Sequence, residues 1–189
     1  MLYLLRYYQI QEPPVSFSAY MRLEKVQHDG FSECFEPISQ DQQKLVQIIA
    51  YCLMPTHVHL ILKQLKPSGI SIFMGNILNS YTRYFNIKYH RKGPLWESKF
   101  QNIPVTNDEQ LLHLTRYVHL NPTTASLVKK PQDWKFSSYN EYLNNTNYPI
   151  CQFDDLITLS PKEYKTFIQD RISYQRELAI IKKQLIDEF

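Results

Sequence analysis

Cysteine is scarce and scattered: Cys34, Cys52 and Cys151 are odd in number, lie far apart and form no CxxC pair. That argues against both a disulfide framework and a zinc knuckle, and it fits a reducing cytoplasm. Long apolar runs are missing as well. No stretch approaches the roughly eighteen residues that a membrane span needs. The opening MLYLLR is too short and badly flanked for a signal peptide. The chain is therefore expected to be soluble and cytoplasmic, with no membrane partner. A large excess of one charge is absent too, since a net charge of +3 permits an anionic partner without requiring one. No internal repeat is visible. What remains is an ordinary globular composition, 43% hydrophobic over 189 residues, enough for one domain with a real core and an appendage.

Periodicity and caps place the elements. Residues 2–10 are predicted to be helical, and Pro13-Pro14 then forces extended chain. A short helix over residues 18–26 follows, capped by Ser16 or Ser18, with Asp29-Gly30 and Pro37 marking loop. Residues 44–53 and 57–63 are two apolar, β-branched runs around Met54-Pro55-Thr56, which predicts an antiparallel hairpin. Phe73, Ile77, Leu78, Tyr81, Tyr84 and Phe85 recur at helical spacing and predict a long amphipathic helix over residues 71–90, ended by Arg91-Lys92-Gly93-Pro94. Residues 100–105 could form a strand. Asn107 or Asp108 should cap a second helix running to Leu120 and stopped by Asn121-Pro122. A short Tyr-rich helix is expected over residues 138–143, and Ser160-Pro161-Lys162-Glu163 starts a last, charged helix that continues to Phe189. Together these predict an α+β fold, with helices on one face of a small antiparallel sheet.

Two features of this layout carry chemistry. His57 and His59 flank Val58 on a predicted strand, so both imidazoles leave the same face while Val58 points the other way. Such a pair is half of a metal site, and imidazoles joined by a carboxylate or amide oxygen suit Mg or Mn. By itself the pair is weak, because six histidines produce a His-x-His by chance at roughly 0.2 per chain. The second feature is YTRYFNIKYHRKGPLWESKFQ, where Arg83, Lys88, Arg91, Lys92 and Lys99 alternate with Tyr84, Trp96 and other rings. Cations that neutralise phosphates beside rings that stack on bases are what single-stranded nucleic acid needs. A solvated helix face above an aromatic core explains the same residues.

MPTHVHLIL, SYTRYFNIKYHRKGPLWESKF, and LTRYVHLNP with WKFSSYNEY occur in that order. They resemble the motifs of the IS200-type, REP-associated tyrosine transposases, and the likeness runs over residues 2–143. That family is similar to other HUH endonucleases, single-strand DNA nucleases in which U is a bulky apolar residue, the slot held here by Val58. The resemblance implies a ferredoxin-like palm over residues 1–145 and a helical C-terminal extension over residues 146–189. It also implies that His57 and His59 bind a divalent metal, Mg or Mn, that Tyr117 is the nucleophile, and that Asn121 completes the metal site. Independently, Tyr117 and Asn121 are four apart, so they share a helix face if the helix persists that far. A phenol with an ordinary pKa near ~10 needs positive charge nearby to act as a nucleophile, from the metal, Arg116 or another cation. The implied product is a 5′-phosphotyrosine link and a free 3′-hydroxyl, made on single-stranded or hairpin DNA by a monomer or a homodimer.

The chain departs from the family at its start. Members usually open with a strand bearing a YHIxxRG-like run, and none is present here. The expectation is a sheet short of one strand, with an edge that costs stability unless something covers it. Two other readings stay open: an inactive or domesticated DNA-binding remnant of the same family, and a hydrolase of small substrates that uses His57 and His59.

Overall fold

A computed structural model describes residues 1–170, so the expected helix beyond that point lies outside the described residues. The chain divides into two compact units, residues 1–47 with 62–103, and residues 48–61 with those from 104 onward. The sheet has two strands, β1 (Val46–Leu53) and β2 (Val58–Gln64), in the predicted antiparallel hairpin. Met54 N–H donates to the His57 carbonyl at 2.9 Å, which closes the turn and leaves His57 immediately before β2.

The first unit is built on rings. Helices α1 (Leu2–Tyr7), α2 (Phe17–Tyr20), α3 (Glu24–Asp29) and α4 (Phe31–Asp41) gather around Tyr7, whose ring lies 5.1 Å from both Tyr20 and Phe35. Edge-to-face and tilted ring pairs of this kind supply burial and orientation together. Arg6 pairs with Glu36 across α1 and α4. Tyr8 shares a 2.9 Å hydroxyl contact with Ser80 of α5 (Gly69–Lys88), the predicted long helix. Where one helix over residues 18–26 was expected, two short ones form, because Leu23 turns extended between them and Ser16 caps only the first. Pro37, expected in a loop, sits inside α4. Proline removes one amide donor there, but Phe31 and Phe35 are buried on the same helix and their packing outweighs that loss.

The second unit holds α6 (Asp108–Thr124), a 3-10 turn at Pro131–Asp133, α7 (Tyr139–Tyr142) and α8 (Pro161–Gln169). Asn107, one of the two predicted caps, caps α6 by accepting from Gln110 N–H at 2.8 Å, and Ser160 caps α8 as predicted, with Glu163 completing a capping box. The core joins Ile49, Cys52, Leu111, Leu120, Tyr142 and Ile168. Two expectations fail. Residues 100–105 form no strand: Phe100, Ile103 and Val105 stay exposed, and β-branched residues make a strand only where an edge and a buried face receive them. Helix α6 also does not stop at Leu120. It runs through Asn121 and Pro122 because Leu120 and Thr123 are buried and hold the last turn against the core.

Candidate active site

The extra turn of α6 decides the geometry. Ala125 N–H donates to the Asn121 carbonyl at 2.9 Å, so Asn121 is helical and shares a face with Tyr117 four residues earlier. That face meets the hairpin. The Tyr117 ring lies 5.5 Å from the His59 ring, nearly perpendicular to it, and Asn121 Nδ2 lies 3.1 Å from His59 Nε2. The His57 and His59 rings are 4.7 Å apart, His57 just before β2 and His59 within it. All four residues belong to the second unit. Tyr117 is 48% exposed, which a large ligand would need in order to reach it.

The protonation states favour coordination. Burial, with His57 beside it, lowers the His59 pKa, so the ring is held neutral. When Asn121 Nδ2–H donates to Nε2, the His59 proton sits on Nδ1 and Nε2 carries a lone pair, the same tautomer that ligates a metal. His57 Nδ1 lies 3.0 Å from Thr56 Oγ1, and donation from Nδ1–H to that hydroxyl leaves His57 Nε2 equally free to ligate. Turning the Asn121 amide about its last torsion puts Oδ1 where Nδ2 stands. The amide oxygen would then stand beside His59 Nε2, where the two could serve one divalent ion. Two imidazoles and an amide oxygen thus fit a divalent cation. No cluster of three or more His, Cys, Asp or Glu side chains suited to a metal occurs among the described residues; beside the two imidazoles, Asn121 is the polar side chain that could serve as a further ligand.

Other expected site residues lie elsewhere. Arg116, next to Tyr117, turns to α8: its guanidinium stacks 4.0 Å over the Phe167 ring and meets His113 Nδ1 at 2.6 Å. In the first unit, Arg83, Lys88, Arg91, Lys92 and Lys99 are all exposed, as is Tyr84. Lys88 Nζ lies 5.5 Å from the centres of the Tyr84 and Tyr89 rings, both of which are 54% exposed. Arg91 covers Phe85 at 5.7 Å. Trp96 is half-buried, and its indole donates to the Leu78 carbonyl at 3.3 Å, so it braces α5. Cations thus lie against exposed or partly exposed rings along this segment.

Two residues at the second-unit site escaped sequence reasoning. Thr56 could have been found as the hydroxyl adjacent to His57. His119, on the opposite face of α6 from the exposed Tyr117, gave no local signal, because its partners come from residues 138 and 164.

The model of the family described as Transposase IS200 like matches residues 20–121, more than half of the chain. A curated protein of Haemophilus influenzae that carries the name of a REP-associated tyrosine transposase is 22% identical over 113 residues, 54% of this chain. The matched region spans 64% of that relative's length. No solved structure matches. The histidine hairpin and all of α6 up to Asn121 fall inside the matched region, and the chain belongs to the IS200-like transposase family.

Proposed function

We propose that the chain is a metal-dependent single-strand DNA endonuclease and transposase that cuts beside hairpin-associated ends through Tyr117. The observation that carries the reading is the convergence of Tyr117 and Asn121 on His59, 5.5 Å between rings and 3.1 Å between polar atoms. His57, His59 and Asn121 would hold Mg or Mn. Bound there, the ion supplies Lewis-acid polarisation of a phosphate oxygen. Tyr117 does the covalent work. Its phenolic oxygen attacks phosphorus, the bond from phosphorus to the 3′-oxygen breaks, and a 5′-phosphotyrosine forms. The phenol gives up one proton and the departing 3′-oxygen gains one, so the strand ends in a 3′-hydroxyl. The phosphodiester energy is conserved in the tyrosyl ester, which permits rejoining.

Family membership supports a transposase role, and the basic aromatic platform around Lys88 supports a DNA partner whose bases are free to stack. The test is incubation with labelled hairpin and single-stranded oligonucleotides in Mg or Mn, followed by a denaturing gel. A covalent protein–DNA adduct is expected, lost in Tyr117→Phe. His57→Ala and His59→Ala should abolish the adduct while binding is largely retained. Tight binding without an adduct in either metal would favour the DNA-binding remnant instead.

A further inference from the structure

We propose that Ser138 and His119 are positioning residues for Tyr117, setting the separation of the tyrosine helix from the histidine hairpin through one buried hydrogen-bonded chain. The inference rests on the reading of Tyr117, His57 and His59 as the cleavage site. Its basis is a set of contacts within the second unit. His119 is fully buried and both ring nitrogens are partnered, Nε2 to Ser138 Oγ and Nδ1 to Tyr164 Oη, each at 2.7 Å. Ser138 Oγ in turn meets Tyr51 of β1 twice, accepting from its N–H at 2.9 Å and donating to its carbonyl at 3.2 Å. One assignment of the protons satisfies every group in the chain. The Ser138 proton goes to the Tyr51 carbonyl, so the hydroxyl accepts from both Tyr51 N–H and His119 Nε2–H. His119 Nδ1 then accepts from the Tyr164 hydroxyl. The chain β1, Ser138, α6, α8 is satisfied at every link.

The geometry explains why this chain, and not any other buried contact, would act on the site. Tyr117 and His119 are two residues apart on α6, pointing to opposite sides. The bond that fastens the His119 side to β1 therefore sets where the Tyr117 side stands against β2, the next strand of the same hairpin. Hydrogen bonds add a directional constraint to the packing of Leu120 beside them, because a bond near 2.7 Å weakens steeply when its angle is lost. The reaction is sensitive to such shifts: a misplacement of ~1 Å at a reacting atom can cost ~100-fold in rate.

The core contains its own control. Tyr142 Oη donates to the Ile49 carbonyl at 2.8 Å, an equally buried side-chain bond to β1; its ring packs edge-on 4.8 Å from His119, a contact that loss of the hydroxyl leaves in place. Tyr142→Phe removes that bond and keeps the ring. With purified full-length protein and saturating hairpin DNA, Ser138→Ala and His119→Leu should lower the rate of adduct formation by about 10- to 100-fold, with the DNA dissociation constant within about twofold of wild type. Tyr142→Phe should change the rate less than about threefold. His119→Gln, which keeps a donor toward Ser138, should recover part of the loss and covers the case in which His119→Leu fails to fold. Equal rate losses in Ser138→Ala and Tyr142→Phe, at matched folded fraction, would overturn the proposal. A second readout needs no activity: proton NOEs between the His59 and Tyr117 rings should be present in wild type and Tyr142→Phe and lost in Ser138→Ala. If the wild type gives no adduct on any DNA, the cleavage reading fails, and the NOE comparison alone decides the positioning claim. Persistence of the NOEs in Ser138→Ala would refute it.

Discussion

Acidification should weaken the second unit through His119. The ring is fully buried, and desolvation pushes its pKa down from 6.5 to about 3. The unfolded chain therefore binds a proton on this ring across a window in which the folded chain does not. A folded-state pKa below the unfolded value means that the contribution is whole above about pH 6.5 and is lost as the pH falls toward about 3. Near pH 5 the unfolded imidazole is almost fully protonated and the folded one almost bare, so the slope approaches ~1.4 kcal/mol per pH unit. Integrated from about pH 7.5 to about pH 5, the loss comes to about 2 kcal/mol. His59 moves in the same direction, since burial and His57 lower its pKa too, while burial raises the pKa of Glu141 and opposes them. The clean quantity is accordingly a difference between proteins. Urea unfolding of wild type and His119→Gln, followed by tryptophan fluorescence at several pH values, isolates the imidazole, because glutamine does not titrate. Wild type should lose about 2 kcal/mol more than His119→Gln over that interval. Parallel pH profiles would refute the reasoning, and would mean that the ring admits a proton without leaving its partners.

Thr56→Val should remove the oxygen that orients His57 and lower Mn affinity roughly tenfold, measured by calorimetry or by thermal shift against Mn concentration, with Thr56→Ser close to wild type. Unchanged affinity in Thr56→Val would mean that the hydroxyl leaves the ring's orientation alone. In the first unit, Gly69→Ala places a Cβ 2.3 Å from the Leu45 carbonyl oxygen, a rigid backbone atom that already accepts from Leu65 N–H. The start of α5 must move, so a loss of about 1–3 kcal/mol is expected, and an unaltered melting temperature would disprove the close approach. The pair Lys88→Ala and Arg91→Ala should flatten the salt dependence of single-stranded DNA binding, by ~0.7 in the log–log slope for each phosphate contact removed. An unchanged slope would place the DNA elsewhere.

What could be seen in the sequence was what short-range rules encode. The His57-Val58-His59 spacing, the Asn107 cap and the Ser160 cap each depend on residues within a turn of one another, and each stands where the pattern put it. Errors arose where distant burial outvoted a local signal. Asn121-Pro122 is a fair stop signal, yet Leu120 and Thr123 are drawn into the core and carry the helix past it. That same overrun is what lets Asn121 face His59. Residues 100–105 show the converse: a strand-like composition with no edge to join. His119 was legible only as a histidine, since Tyr51 and Ser138, which give it meaning, are 87 residues apart in the chain.

The edge of the sheet was expected to stand open for want of a strand, and the second unit answers this with a segment of irregular chain. Leu53 N–H donates to the Phe136 carbonyl at 2.9 Å, Ser138 N–H to the Tyr51 carbonyl at 3.0 Å, and Cys52 bridges to Ser137. Tyr142 caps the next free carbonyl, that of Ile49. These few bonds remove the cost of a bare β1 edge without supplying a strand. They also explain why a serine stands at 138. A residue that covers an edge with its backbone still has its side chain to spend, and here the hydroxyl reaches both the strand it covers and the imidazole on α6. A purely apolar side chain would leave His119 Nε2 buried without that partner, at a cost of about 1–3 kcal/mol. The segment that closes the sheet is thus the one that fastens the tyrosine helix, and a change at position 138 should be felt at Tyr117 before it is felt in the stability of the hairpin.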